Sequence, residues 1–187
     1  MDVGRTSLLS GREQPSTDGV PDRHTLVVFD LDGREFALPI EDIAEILQMV
    51  LVTPVPEVPP WVAGVVNLRG RVIPILDLRT RLGFDTKPPQ LNTPILVAEQ
   101  DTRKLGLIAD AVVDVISLDD AALEPPAELG ASDGHEDAVA AVAQTGDRLI
   151  MVLDLARVTA DAASLAEARH APDASRISDA SPNRDVD

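Results

Sequence analysis

Short apolar runs alternate with polar turns along most of this chain. The runs occupy residues 26–29, 36–40, 62–66, 72–76, 95–98, 105–109, 138–143 and 149–153. Each has the length of a β-strand, roughly 4–8 residues, and turn residues separate them. Asp32-Gly33 between two such runs predicts a tight hairpin, because both residues tolerate positive φ. Many short strands at regular spacing predict a barrel or sandwich. Helical patterns are fewer. Residues 41–48, after Pro39, predict one short helix. Residues 77–83 predict another, with Asp77 as N-cap and Gly83 as stop. The longest, 154–170, is Ala-rich with apolar positions at Leu155, Val158, Ala162, Leu165 and Ala166. Residues 1–23 and those from about 172 onward are rich in Ser, Asp and Pro without periodicity, and both read as disordered.

The pattern repeats. Residues 26–47 lie over residues 95–116 without a gap, at a shift of 69. Apolar positions meet apolar ones, Arg34 meets Arg103, Glu41 meets Asp110, and Glu45 meets Asp114. Residues 71–78 then lie over residues 148–155 at a shift of 77, so that RVIPILDL meets RLIMVLDL. The growth of the shift places an insertion in the second copy, near 121–137. Two copies imply two similar small barrels. One copy alone, at roughly 65–70 residues, has a thin core, and packing the two together buries a shared apolar surface.

Composition narrows the function. The 187 residues carry 32 Asp+Glu against 16 Lys+Arg, a net charge of −16, and most of the excess falls between residues 24 and 155. Only four aromatics occur: Phe29, Phe36, Trp61 and Phe84. Nucleic acid is a poor partner for such a chain, since binding there needs a basic footprint and stacking rings. The lack of cysteine excludes disulfides, thiolate metal sites and cysteine nucleophiles, and it fits a reducing compartment. No run approaches the roughly 18 apolar residues of a membrane span. Lysine is confined to Lys87 and Lys104. High acidity with little lysine fits either a salt-rich cytoplasm or a GC-rich genome.

Catalytic constellations are missing. His24, His135 and His170 lie in or beside expected loops and at a helix end, without metal-ligand spacing. Neither a phosphate-binding glycine loop nor a G-x-S-x-G elbow occurs. Asp77 and Asp154 are repeat mates, which makes them helix caps rather than an acid/base pair. The copies differ where binding would need them to. Asn67-Leu68-Arg69-Gly70 meets Gln144-Thr145-Gly146-Asp147, so Arg69 has no counterpart. Arg69, Arg71, Arg79 and Arg81 form a basic cluster that either attracts an acidic partner or pairs internally. Trp61, the only Trp, fills the core or anchors an interface.

These residues resemble the CheW family, the adaptors of bacterial and archaeal chemotaxis, over about residues 25–158. The most specific stretch is 62–79, with Gly64, Asn67-Leu68-Arg69-Gly70, an apolar strand containing Pro74, and Asp77-Leu78-Arg79. Phe36-Ala37-Leu38-Pro39-Ile40, Glu45-Ile46 and Gly106-Leu107-Ile108-Ala109-Asp110 support it. Ala109 stands where the family usually has Val.

The resemblance implies a mainly β fold: two packed five-stranded Src-homology-like β-barrels with short helices and a C-terminal helix. The domain would span 24–171, as two interwoven barrel subdomains with the duplicated unit near 26–78 and 95–155. The implied function is non-catalytic coupling, without cofactor or metal. The family joins the regulatory domain of the histidine kinase CheA to the cytoplasmic tip of methyl-accepting chemoreceptors. The protein would then be cytoplasmic and recruited to receptor arrays, with no direct membrane insertion. The implied partner-binding residues are Ile40, Glu45, Ile46, Ala63, Gly64, Asn67, Arg69, Gly70, Val112 and Val115, with a Glu45–Arg69 pair among them. Relatives often carry Lys at position 63, so one polar contact is missing here. Two other readings stand beside this one. The chain could couple a non-flagellar array, in twitching motility or biofilm signalling, or be a regulatory-domain fragment of a larger signalling protein.

Overall fold

Strand β1 (Arg23–Leu31) turns into β2 (Arg34–Pro39) on Asp32 and Gly33, both at positive φ (58° and 74°), with Leu31 opposite Arg34. This is the expected two-residue hairpin. The computed structural model describes residues 23–100, 102–126 and 138–160, and every structural statement here concerns those residues. After a 3-10 turn at Ile40–Asp42, the chain forms β3 (Ile43–Gln48), β4 (Val62–Leu68), β5 (Arg71–Asp77) and the short helix α1 (Leu78–Arg81). The series then recurs as β6 (Pro94–Gln100), β7 (Arg103–Ile108) and β8 (Ala111–Asp119). A longer connection holds a 3-10 turn at Asp120–Ala122 and β9 (Leu123–Glu124). It leads to β10 (Val139–Thr145), β11 (Arg148–Leu153) and α2 (Leu155–Thr159). The repeat thus exists in three dimensions. A shift of 69 carries β1–β3 onto β6–β8, and a shift of 77 carries β4, β5 and α1 onto β10, β11 and α2.

The copies exchange strands. One sheet runs β8-β1-β2-β11-β10-β9, and the other runs β3-β6-β7-β5-β4. The third strand of each copy therefore pairs with the first strand of the other: β3 with β6, and β8 with β1. Parallel pairing of β11 with β2, and of β5 with β7, completes each barrel from both copies. The result is the expected pair of Src-homology-like barrels. The two-residue β9 is an addition to one of them.

Burial follows from this exchange. Along β1, Leu26 and Val28 enter the interior of the first barrel, whereas Val27, Phe29 and Leu31 enter a larger core shared by both barrels. Along β6, Ile95 and Val97 enter the second barrel, whereas Leu96 and Ala98 join the shared core. These strands are covered on both faces, so their sequences read as continuous apolar runs rather than alternation. Gly106 on β7 is small for a packing reason. A Cβ there would stand 2.4 Å from Ile75 Cδ1.

The helix caps appear at both repeat mates. Asp77 accepts from the backbone N–H groups of Arg79 and Thr80, and Asp154 accepts from that of Arg157. Gly83, at φ 74°, follows α1 as the expected stop. Two expectations are corrected, and two others lie mostly outside the described residues. Residues 41–48 do not form a helix. They are the 3-10 turn and β3, whose alternating burial matches a strand beside β6. His24 belongs to β1, opposite Leu118, with its ring against Asp120 rather than in a loop. The helix expected over 154–170 is described for Leu155–Thr159, and the remainder lies outside the described residues. The segments expected to be disordered, 1–23 and 172–187, also lie outside them, except that Arg23 opens β1.

Candidate functional site

Each sheet ends in edge strands, and the expected partner-binding residues lie on them or in the turns beside them. Strand β3 is one edge of the second barrel's sheet, and β4 is the other. Ile40 in the 3-10 turn and Ile46 on β3 are 42% and 44% exposed. Glu45, between them, accepts a 3.1 Å hydrogen bond from Arg69 Nη2. Arg69 and Gly70 form the two-residue β4–β5 turn at φ 51° and 84°, with Leu68 opposite Arg71. The Arg69 side chain is 81% exposed while its partner Glu45 is mostly covered. The ion pair therefore ties the β3 edge to the turn at the end of β4, across the seam of the barrel. The Asn67 side-chain oxygen accepts from the Gly70 N–H at 2.9 Å and shapes the same turn.

Ala63 and Gly64 lie on β4. Ala63 packs against the second barrel's interior. Gly64 is buried at φ 147°, and a Cβ there would stand 2.2 Å from the Thr53 carbonyl oxygen. The Thr53 and Val65 backbones exchange 2.9 Å hydrogen bonds alongside. Gly64 is thus required by the close approach of this segment to the β4 edge. Val112 and Val115 lie elsewhere, on β8, the edge of the first barrel's sheet. Val115 is 52% exposed, and the adjacent Val113, which the sequence did not single out, is exposed beside it. The 69-residue shift makes Val115 the mate of Ile46, and Asp114 the mate of Glu45. The structure therefore divides the exposed candidates between two faces on different sheets, related by the repeat, and leaves Gly64 buried and Ala63 against the interior.

The arginine cluster does not form one patch. Arg79 is 11% exposed, and its Nε donates to both carboxylate oxygens of Asp110 at 2.8 and 3.0 Å. Nη2 donates to Asp110 at 2.8 Å and to Asp32 at 2.9 Å, and Nη1 donates to the Asp85 carbonyl at 2.7 Å. Burial alone would push the Asp110 carboxyl up. The Arg79 hydrogen bonds, the Asp32 backbone N–H, and the Arg79 and Lys87 charges outweigh burial and hold it below its ordinary range. Arg81 donates to the carbonyls of Val158 and Arg157 at the end of α2, and its guanidinium lies 5.3 Å from the Trp61 ring centroid. Trp61 itself packs against the shared core, and its carbonyl accepts from the Asp77 N–H at 2.8 Å. Arg79 and Arg81 are internal ties, and Trp61 is a half-buried residue packed on the core. Of the expected cluster, Arg69 and Arg71 remain at the surface. The Asp110 network escaped the sequence reading, although its signal was there: Arg79 and Asp110 both stand in the motifs quoted above.

Among the described residues, no group of His, Asp and Glu is disposed to hold a metal, and no helix is long and apolar enough to cross a membrane.

Two fused barrels with apolar, exposed edge strands define a protein-binding module. The family model of the CheW-like domain matches residues 25–163, and the chain belongs to that family. The chemotaxis protein CheW of Rhizobium meliloti is 35% identical over 130 residues, which cover 70% of this chain and 83% of that protein. Its counterpart in Bacillus subtilis is 30% identical over 129 residues, 69% of this chain and 82% of the relative. Among solved structures, the scaffolding protein TtCheW from Thermoanaerobacter tengcongensis superposes with a TM-score of 0.66 at 34% identity. The match covers 73% of this chain and 90% of that one.

Proposed function

We propose that this protein is a non-catalytic chemotaxis coupling protein that scaffolds the histidine kinase CheA to chemoreceptors in signalling arrays. One observation carries the reading: the chain matches chemotaxis CheW proteins over most of their length and a solved CheW scaffolding protein over 90% of its chain. These likenesses favour a chemotaxis array over a non-flagellar one.

Coupling needs two faces that can be occupied together. Ile40, Glu45, Ile46 and Arg69 supply one at the β3 edge, and Val112 and Val115 supply the other at the β8 edge. In this reading the β3 face meets the cytoplasmic tip of a methyl-accepting receptor, and the β8 face meets the kinase's regulatory domain. The protein is recruited to the membrane by the receptor, not by insertion. Receptor state then biases kinase state through the geometry that the adaptor imposes, without chemistry of its own.

Co-sedimentation with receptor-containing vesicles and CheA tests the reading. Ile46→Lys should release the chain from receptor vesicles while keeping kinase binding, and Val115→Lys should do the reverse. Retention of both partners by both variants would overturn the assignment of the faces. Failure of the unmodified chain to bind either partner would overturn the function.

A further inference from the structure

The two barrels are joined by two crossovers, and the repeat makes them mates. One runs from β2 through Ile40–Asp42 into β3, and the other runs from β7 through Ala109 and Asp110 into β8. Their surroundings differ. At the second, the Ala109 N–H donates to the Pro94 carbonyl and the Asp110 N–H to the Asp30 carbonyl. Arg79 grips Asp110 and Asp32 from α1, and the Asp32 N–H donates to Asp110 as well. Strand β8 then continues for nine residues against β1, held further by Arg23–Asp119, Thr25–Ser117 and Arg148–Asp114 contacts.

Among the described residues, the clamp has no counterpart at the first crossover. The 77-residue shift replaces Arg79 by Ala156, exposed on α2, and the 69-residue shift replaces Asp110 by Glu41. Asp42 there has the Glu41 carboxylate and the Asp154 cap for neighbours. Burial, then the Glu41 and Asp154 charges, push the Asp42 carboxyl up. The nearby Arg157 reaches Asp154 at 3.1 Å, across one helical turn. Strand β3 has six residues against the nine of β8, and its one side-chain tie among the described residues is the exposed pair with Arg69, whereas both strands carry a bulge at the equivalent place.

We infer that β3 and its crossover are a locally labile edge, set against a clamped mate at β8, so that a partner bound at β3 orders this segment. The coupling to a partner rests on the function proposed above, while the lability belongs to the free chain. Few side-chain ties and adjoining carboxylates mark a segment that opens at low free energy cost. A partner that binds the closed form then stabilises it by mass action.

Hydrogen exchange on the free, full chain tests the inference. It compares only amides that bond across the β3–β6 and β1–β8 ladders. The β3 amides should exchange at least about 10-fold faster than those of β8, a gap of roughly 1.4 kcal/mol in opening free energy. Ala156→Arg places a guanidinium opposite Glu41, and it should slow exchange in β3 several-fold while leaving β8 unchanged. Ala156→Gln, without the charge, should leave both as they were. Equal protection of β3 and β8 in the unmodified chain would overturn the inference. So would an Ala156→Arg variant that is folded, by its β8 protection, yet no slower at β3. Neither result depends on a partner, so the coupling function stands or falls separately.

Discussion

Glu45 and Arg69 meet at 3.1 Å across the seam of one barrel, the first on an edge strand and the second at the tip of a hairpin. Arg69 holds positive φ, and its repeat mate is Gly146, the ordinary choice for that conformation. A charged residue thus occupies a backbone position that suits glycine, and its guanidinium is almost entirely in solvent. An exposed pair of this kind contributes about 1 kcal/mol or less to stability.

Arg69→Ala should therefore leave the circular dichroism spectrum unchanged and lower the melting temperature by less than about 5 °C. Co-sedimentation with receptor–kinase assemblies should fall sharply. Unfolding in parallel with the loss of binding would make Arg69 a structural residue.

Arg79 has the opposite character. Its removal leaves Asp110 covered, ionised and without its main counter-charge. Arg79→Ala should cost about 3 kcal/mol in urea unfolding, the order expected for a broken buried pair. Arg79→Lys should recover only part of this, since an ammonium cannot bridge Asp110 and Asp32 in one plane.

Gly64→Ala should lose about 2 kcal/mol or more. The added methyl meets the Thr53 carbonyl at 2.2 Å, and the backbone is at φ 147°, so the Thr53–Val65 bridge must open. Gly70→Ala, at positive φ but with open space around it, should cost less. Denaturant midpoints for the two variants give the comparison.

The two perturbed carboxyls should act on stability in opposite directions with pH. Asp110 is held below its ordinary 3.8, so its contribution is full above that pH and is lost as the pH falls toward the folded value. Asp42 is raised above 3.8, chiefly by burial, so it disfavours the fold above its folded pKa and not below 3.8. Asp42→Asn should be more stable than the unmodified chain at pH 7, with the gap closing in acid. Asp110→Asn should be less stable at pH 7, with its gap also closing in acid. Urea unfolding at several pH values reads both signs.

A net charge of −16 on 187 residues predicts that melting temperature rises with added KCl. The Debye length shrinks from about 30 Å at 0.01 M to about 3 Å at 1 M, and screening relieves repulsion that folding concentrates. A flat response would leave the scarcity of lysine to genome composition.

Strands covered on both faces were the easiest to read. The runs around Val28, Ile75, Val97 and Val152 are continuous because the sheets are packed on each side. The repeat was legible for the same reason. Strand β3 was misread because Ile43, Glu45 and Ile46 sit on a half-exposed edge after a proline, where local sequence also suits a helix. Pairing with β6 decides the matter, and no local signal reports a partner about fifty residues away. The arginines show a similar limit. Their spacing revealed a cluster, but only the crossovers bring Asp32 and Asp110 to Arg79, and only α2 brings the Val158 carbonyl to Arg81. For Glu45–Arg69 the family motif supplied the pairing that residue chemistry alone left open.

The exchange of strands between the copies bears on symmetry. A half-length chain could not close either barrel, since its third strand would lack a neighbour. Two such chains could, by lending β3-type strands to each other around a twofold axis. The present molecule has the architecture of that homodimer with its subunits fused end to end. In such a homodimer any residue at one edge would necessarily appear at the other. The fused chain is free of that constraint, and Arg69 matched by Gly146, like Arg79 matched by Ala156, gives it two faces that a symmetric homodimer would have to keep alike.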